Sequence, residues 1–324
     1  MNGINVLDRP ASQKFYAVAG RLLFIQSSDL RLAARIEQLF SGWQLTPVSF
    51  PEPNPDIKIS FSISDGLPDV PGGLDEFKIS EGGRCRITDN GFYLGFDGSL
   101  LHLKNNGAVD VFIWIKKIRD PSDAELARVT SFAVCAALRR FRIFELHSAG
   151  VVIPENGSGL LIIGPSGSGK STLTTQLARA GWGYLSDDEL LLSLSENEVE
   201  ARGFRSFFAL APGTATVNNR MKTCFEPESV FAAPRVNRVA PRFLLFTSLN
   251  GANKTQWREL TQPETMAHLI RACPWASYDT LVAGPYLDTL SRLARQAKGV
   301  NLMAGTDLLD ASGASRIISS VCHA

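Results

Sequence analysis

Eight consecutive residues of this 324-residue chain carry its clearest chemistry: Gly164-Pro165-Ser166-Gly167-Ser168-Gly169-Lys170-Ser171, a full match to G-x-x-x-x-G-K-[ST]. Glycines let successive backbone N–H groups turn inward around phosphate oxygens, and a following helix adds the positive end of its dipole. In such a loop Lys170 reaches the β- and γ-phosphates of a nucleotide, and the Ser171 hydroxyl ligates Mg²⁺. Sixteen residues separate Lys170 from Asp187 and Asp188. A carboxylate there can ligate Mg²⁺, and a second can accept a proton from an incoming hydroxyl. Consecutive strand side chains point to opposite faces, so the two aspartates need not both face the nucleotide. His147 precedes the same core, and taken alone it reads as an ordinary packed or surface histidine.

The elements that must hold these residues form a strand–loop–helix–strand order. Strands are expected at Gly150–Ile153 and Leu160–Ile163, a helix over Lys170–Ala180 with Gly181 past its end, and a strand at Tyr184–Ser186. That order is an α/β nucleotide-binding pattern, with both aspartates at the C-terminal end of the next strand, where open α/β sheets place their ligands. Upstream, Ser122 and Glu125 make an S-x-x-E capping box, and apolar residues recur at helical spacing to about Arg142. Before that helix the chain reads as a small antiparallel sheet. Ile57, Ile59, Phe61 and Ile63 alternate with polar residues, Asp97-Gly98 and Asn106-Gly107 mark turns, and Leu67 to Gly83 reads as a loop. Downstream, a strand is expected at Phe243–Thr247 and helices at Pro263–Ala272 and Leu287–Ala297.

Composition bounds the answer further. Thirty-three Lys and Arg stand against thirty-two Asp and Glu, for a net charge of +1, and 44% of residues are hydrophobic. The balance is globular and excludes disordered and collagen-like chains. No apolar run approaches the length of a spanning helix, and no secretory leader is visible, so no membrane span is expected. Five scattered cysteines with no C-x-x-C pair fit a reducing cytoplasm. Between Ala201 and Leu245 lie Arg202, Arg205, Arg220, Lys222, Arg235, Arg238 and Arg242, against Glu226 and Glu228. One or two of these, Arg220 among them, are candidates to stabilise the γ-phosphate as it gains charge. Without interleaved aromatics they give no support to nucleic-acid binding.

His147-Ser148-Ala149-Gly150-Val151, the phosphate loop with its Leu161-Ile162-Ile163 lead-in, Gly181, and Leu185-Ser186-Asp187-Asp188 together resemble the catalytic core of bacterial HPr kinase/phosphorylase. The resemblance covers residues 143 to 192, about 15% of the chain. It implies an α/β P-loop kinase core of the HPr kinase/PEP carboxykinase type with a smaller β-rich α+β N-terminal domain. The implied division is 1–120 for the β-rich part, 121–142 for a connecting helix and 143–324 for the catalytic part. It also implies ATP and Mg²⁺ as cofactors. Gly164 through Thr172 would bind the nucleotide. Asp187, Lys170 and His147 would serve catalysis, with Asp187 as the proton-transfer residue. Ser171 and Asp188 would hold the metal, joined by Glu200, since Glu200-Ala201-Arg202-Gly203 is similar to the family's E-x-R-G signature.

Thr172 stands where the authentic enzymes commonly have Glu, and the N-terminal sheet and C-terminal segment differ from theirs. The layout instead resembles the broader HPr-kinase-like proteins. It implies an ATP-dependent, serine kinase-like phosphotransferase whose partner is a peptide or protein with a serine hydroxyl. A small-molecule kinase and a nucleotide switch without transfer remain the alternatives, and a homo-oligomer is left open.

Overall fold

The computed structural model describes residues 10–49, 54–72, 75–79, 82–88, 91–104, 109–117, 121–210, 223–249 and 251–323. The chain divides into two compact units, Met1–Phe141 and Arg142–Ala324. The fold is mixed α/β with several sheets.

The first unit contains β1 (Ser12–Val18), β2 (Arg21–Ser27), α1 (Leu30–Ser41), β3 (Thr46–Pro47), β4 (Ile57–Ser64), β5 (Asp75–Lys78), β6 (Arg84–Thr88), β7 (Gly91–Gly95), β8 (Ser99–Lys104), β9 (Val109–Lys116) and α2 (Asp123–Arg139). Among the described residues the strands form one nine-stranded sheet in the order β3-β1-β2-β4-β9-β8-β7-β6-β5. The sheet is not purely antiparallel as expected: β4 runs parallel to both β2 and β9. The reason is connectivity. Strands β2 and β4 are joined through α1, a crossover that returns the chain in the same direction. The stretch read as a loop, Leu67 to Gly83, contains edge strand β5, paired with β6. The Asp97-Gly98 turn does join antiparallel β7 and β8, whereas Asn106-Gly107 lies outside the described residues.

Helix α2 starts where its cap requires. The Ser122 hydroxyl accepts the Glu125 N–H at 3.3 Å, and the Glu125 carboxylate accepts the Ser122 N–H at 2.9 Å. Its buried stripe includes Leu126, Val129, Ala133 and Ala137. Arg35 of α1 reaches across to Asp123 at 2.8 Å, tying the two helices together at that end.

The second unit runs β10 (Phe144–Leu146), β11 (Ser148–Val152), β12 (Gly159–Ile163), α3 (Lys170–Arg179), β13 (Gly183–Ser186), β14 (Leu190–Ser195), β15 (Glu198–Gly203), β16 (Phe208–Leu210), β17 (Thr223–Phe225), β18 (Arg238–Val239), β19 (Pro241–Leu249), β20 (Gln256–Glu259), α4 (Gln262–Ala272), α5 (Trp275–Tyr278), α6 (Ala283–Gln296), β21 (Lys298–Ala304) and α7 (Ala311–His323). Its six-stranded sheet has the order β13-β11-β12-β19-β21-β20, and a four-stranded sheet has the order β10-β14-β15-β18. Strands β12, β19 and β21 are parallel, while β11 and β13 are antiparallel to their neighbours.

The central strands are buried on both faces, which is why they read as unbroken apolar runs rather than alternating ones. Leu160 and Ile162 of β12 join one core with Leu173 and Leu177 of α3 and Ile318 of α7. The Trp182 indole N–H donates to Ser315 at 3.0 Å, pinning α7 beside α3. On α4, His268 packs its ring 4.7 Å from that of Phe246, a core contact. Burial, followed by the charges of Arg271 and Arg258, holds the His268 imidazole below its ordinary range. Cys85, Cys135 and Cys273 are buried thiols.

Replacing Ser122 with Ala removes half of the capping box and is expected to destabilise the first unit by about 1 kcal/mol. A urea melt that shows an unchanged midpoint for Ser122→Ala would contradict this.

Candidate functional site

Two crossovers between the same pair of sheets bring the polar residues together. The chain leaves the four-stranded sheet after β10 and enters the six-stranded sheet at β11, and His147 is the single residue between them. It returns from β13 to β14 through Asp187-Asp188-Glu189. Because β10 pairs with β14 and β11 pairs with β13, the crossovers run side by side. His147 Nδ1 lies 3.5 Å from Asp188 Oδ1 as a result.

The phosphate loop leaves the C-terminal end of β12 beside these crossovers. Gly167 and Gly169 have φ of +84° and +90°, left-handed values that favour glycine. Gly164 is required for a different reason: a Cβ there would sit 2.5 Å from Ser168 Oγ and 2.6 Å from the Thr247 carbonyl oxygen. Thr247, at the end of β19, holds the loop through 3.1 Å between its hydroxyl and that of Ser168, and itself donates to the Ile163 carbonyl at 3.3 Å. Helix α3 starts from Gly169 with no side-chain cap, so the N–H groups of its first turn are available to an anion.

Lys170 is only 6% exposed. Its ammonium donates to the Gly164 carbonyl at 2.7 Å and the Pro165 carbonyl at 3.2 Å, and meets His147 Nε2 at 3.2 Å. An ammonium has no lone pair, so Nε2 must accept, which places the ring proton on Nδ1, toward Asp188. Lys170, His147 and Asp188 thus form a continuous polar row.

These groups face a cavity of about 490 Å³. Of the residues singled out in the sequence, Ser166, Gly167, Ser168, Gly169, Lys170, Ser171, Thr172, His147 and Asp188 line it. Gly164 and Pro165 stand behind the wall and contribute the carbonyls that hold Lys170. Asp187 does not line the cavity. It is 1% exposed, and its Oδ2 accepts the Ala209 N–H at 2.9 Å. The structure places the two aspartates differently: Asp188 lines the cavity, and Asp187 is buried and holds β16, whose Ala209 and Leu210 form part of the wall.

Glu200 is also placed elsewhere. It lies within β15, paired with Arg202 at 3.2 Å and Arg238 at 3.5 Å, and does not line the cavity. The other described arginines of that basic stretch are engaged too: Arg205 with Glu189, Arg235 with Glu228, and Arg242 with Glu198. Arg220 and Lys222 lie outside the described residues.

Thr247, Leu249, Ala304, Gly305, Leu308 and Leu309 complete the cavity and were not singled out in the sequence. Thr247 and Leu249 come from the end of β19, the parallel neighbour of β12; Ala304 ends β21, one strand further on, and Gly305, Leu308 and Leu309 lie in the segment that follows it.

No group of three or more His, Cys, Asp or Glu residues able to hold a metal occurs among the described residues. Mg²⁺ does not require one, since it is held by one or two protein oxygens together with substrate phosphates and water. The Ser171 hydroxyl and the Asp188 carboxylate, both at the cavity, fit that donor set. Among the described residues no helix is long and apolar enough to cross a membrane.

No protein-family model matches the chain, and no curated protein matches it. Among solved structures the chain is similar to the Hpr(Ser) kinase/phosphatase from Coxiella burnetii, at 12% identity and a TM-score of 0.33, over 55% of this chain and 97% of that one.

Replacing Gly164 with Ala forces a Cβ against the Thr247 backbone, and is expected to destabilise the second unit by about 1–3 kcal/mol. Chemical denaturation checks this, and wild-type stability in Gly164→Ala would overturn the packing account of the loop.

Proposed function

We propose that the cavity binds a nucleoside triphosphate and that the chain transfers its terminal phosphoryl group to a hydroxyl acceptor. The observation that carries the reading is the shared wall: the phosphate loop, the start of α3, His147 and Asp188 all face one cavity. A loop alone would support binding. A carboxylate on the same wall, within 3.5 Å of a histidine, adds a group able to take the proton of an attacking hydroxyl.

The residues divide the work as follows. Backbone N–H groups of the loop and of the first turn of α3 bind phosphate oxygens. Lys170 exchanges its contacts with the Gly164 and Pro165 carbonyls for the terminal phosphates, neutralising charge as it develops. Asp188 accepts the hydroxyl proton as the acceptor oxygen bonds to the terminal phosphorus and the bridging P–O bond breaks, releasing the nucleoside diphosphate. His147 donates from Nδ1 toward Asp188 and keeps that carboxylate oriented. Ser171 and Asp188 would hold Mg²⁺, which supplies charge neutralisation on the phosphates. Asp187 acts at one remove, by fixing Ala209 on the wall.

The acceptor we infer is a serine-type hydroxyl on a peptide or protein. Support comes from the likeness of residues 143 to 192 to the HPr-kinase-like core. The Leu67–Gly83 region and the rest of the first unit would then serve recognition rather than chemistry.

Incubation with Mg-ATP and candidate peptides, followed by mass spectrometry, tests the proposal. Wild type should add one phosphate to a serine, and Lys170→Ala should add none. Asp188→Asn should lower transfer by about 10²–10⁴-fold while nucleotide affinity stays within a few-fold. Asp187→Ala should act chiefly on stability, by about 1–3 kcal/mol, through the lost acceptor for the Ala209 N–H. Undiminished transfer by Asp188→Asn, with transfer abolished in a folded Asp187→Asn, would return the proton-accepting role to Asp187. Nucleotide binding with no transfer to any acceptor would replace the kinase reading with a nucleotide switch.

A further inference from the structure

The cavity is asymmetric in a way that the phosphate chemistry does not use. On the side of β11 and β13 its wall carries the polar His147 and Asp188, with Ala209 and Leu210 beside them. On the side of β19 and β21 the described lining residues are Thr247, Leu249, Ala304, Gly305, Leu308 and Leu309. Thr247 is buried, its hydroxyl engaged by Ser168 and the Ile163 carbonyl. The remaining five carry no polar side chain. Two of them are leucines held out toward solvent: Leu249 is 63% exposed and Leu309 41% exposed. Exposed leucines beside a phosphate loop are apolar surface without a partner, and the phosphates of a nucleotide cannot cover them.

This apolar wall is built rigidly. Gly305 packs so closely on the preceding loop that a Cβ would meet the Lys254 carbonyl carbon at 2.5 Å and the Thr255 nitrogen at 2.7 Å. The Asp307 carboxylate accepts both the N–H and the hydroxyl of Thr255, at 3.0 and 2.5 Å, and the Gly305 N–H donates to the same Thr255 hydroxyl at 3.0 Å. Burial pushes the Asp307 carboxyl up, but the two Thr255 donors outweigh it and leave the group below its ordinary range, so the clasp is ionised at neutral pH. From α3, the Gln176 amide donates to the Leu309 carbonyl at 2.5 Å, tying this wall to the helix that starts at the phosphate loop. Leu249 lies close to the start of that helix, where a Cβ added to Gly169 would meet its Cδ2 at 3.4 Å. The Gln176–Leu309 contact thus links this wall to the helix that starts at the loop.

We propose that Leu249, Ala304, Leu308 and Leu309 form the nucleobase subsite, and that, among the described residues, it meets a purine through apolar side chains, so that ATP and GTP are used interchangeably. The inference rests on the nucleotide-binding reading above and deepens it by assigning the orientation and the base selectivity of the substrate. Adenine and guanine differ in the donors and acceptors on their edges and hardly in their apolar faces. A site that hydrogen-bonds an edge rejects the wrong base strongly, whereas an apolar wall discriminates weakly between rings of similar size. The orientation follows: with the base on the β19–β21 side, the terminal phosphate points toward His147 and Asp188.

Calorimetric titration of the full chain in Mg²⁺ buffer with ATP, GTP and inorganic tripolyphosphate tests this. ATP and GTP should bind within about fivefold of one another. Tripolyphosphate, which lacks the base, should bind at least about tenfold more weakly than either. Leu249→Ala and Leu309→Ala, at exposed positions where folding is not at stake, should weaken ATP and GTP equally and leave tripolyphosphate binding as it was. A preference for one purine above about fiftyfold would overturn the inference by requiring an edge-reading group. Tripolyphosphate bound as tightly as ATP would overturn the base subsite while leaving the phosphate site standing. Failure of all three ligands to bind would remove the nucleotide reading itself, and this inference with it.

Discussion

Everything at this site depends on a helix that begins without a side-chain cap at the wall of a cavity. Most helices end that exposure with a Ser, Thr, Asp or Asn, as Asp29 does for α1 and Ser122 for α2. Helix α3 has Gly169 there instead, in a left-handed conformation that turns the preceding loop over the helix start. Uncapped N–H groups and a buried lysine are costly unless an anion compensates them. Lys170 meets two loop carbonyls and His147 here.

The surrounding sheet is organised to keep that loop in place. Strand β12 lies between antiparallel β11 and parallel β19, so its C-terminal end sits where strand direction changes. Thr247 from β19 props the loop from one side, and the β10–β11 and β13–β14 crossovers deliver His147 and Asp188 from the other. Neither crossover residue would meet its partner if the two strand pairs were not shared between the same two sheets. That double crossing converts residues forty positions apart in sequence into neighbours.

The loop, its helix and the strand entering it were legible in the sequence, because G-x-x-x-x-G-K-[ST] and the apolar run before it are local patterns. The capping box of α2 and the Asp97-Gly98 hairpin were legible for the same reason. The roles of Asp187 and Asp188 were not. Alternation says that adjacent strand residues diverge, but not which one lines the cavity; Asp187 turns instead to the Ala209 N–H. Glu200 was singled out through its likeness to an E-x-R-G signature; in the structure it pairs with Arg202 and Arg238 and does not line the cavity. The parallel pairings of β4 were hidden because a crossover through α1 leaves no mark on the alternation of the strand itself. The apolar wall was invisible for a similar reason: Leu249 and Leu309 are sixty residues apart and meet only through strand order.

The central claim is that the phosphate loop and the His147–Asp188 pair act on one bound nucleotide. A crystal structure of the chain with Mg²⁺ and a non-hydrolysable ATP analogue tests it most directly. The account predicts that Lys170 Nζ leaves the Gly164 carbonyl for the phosphates, and that the terminal phosphate lies on the side of the cavity lined by Asp188. An analogue bound with its terminal phosphate on the Leu249 side, or bound elsewhere with Lys170 still on the Gly164 carbonyl, would contradict it.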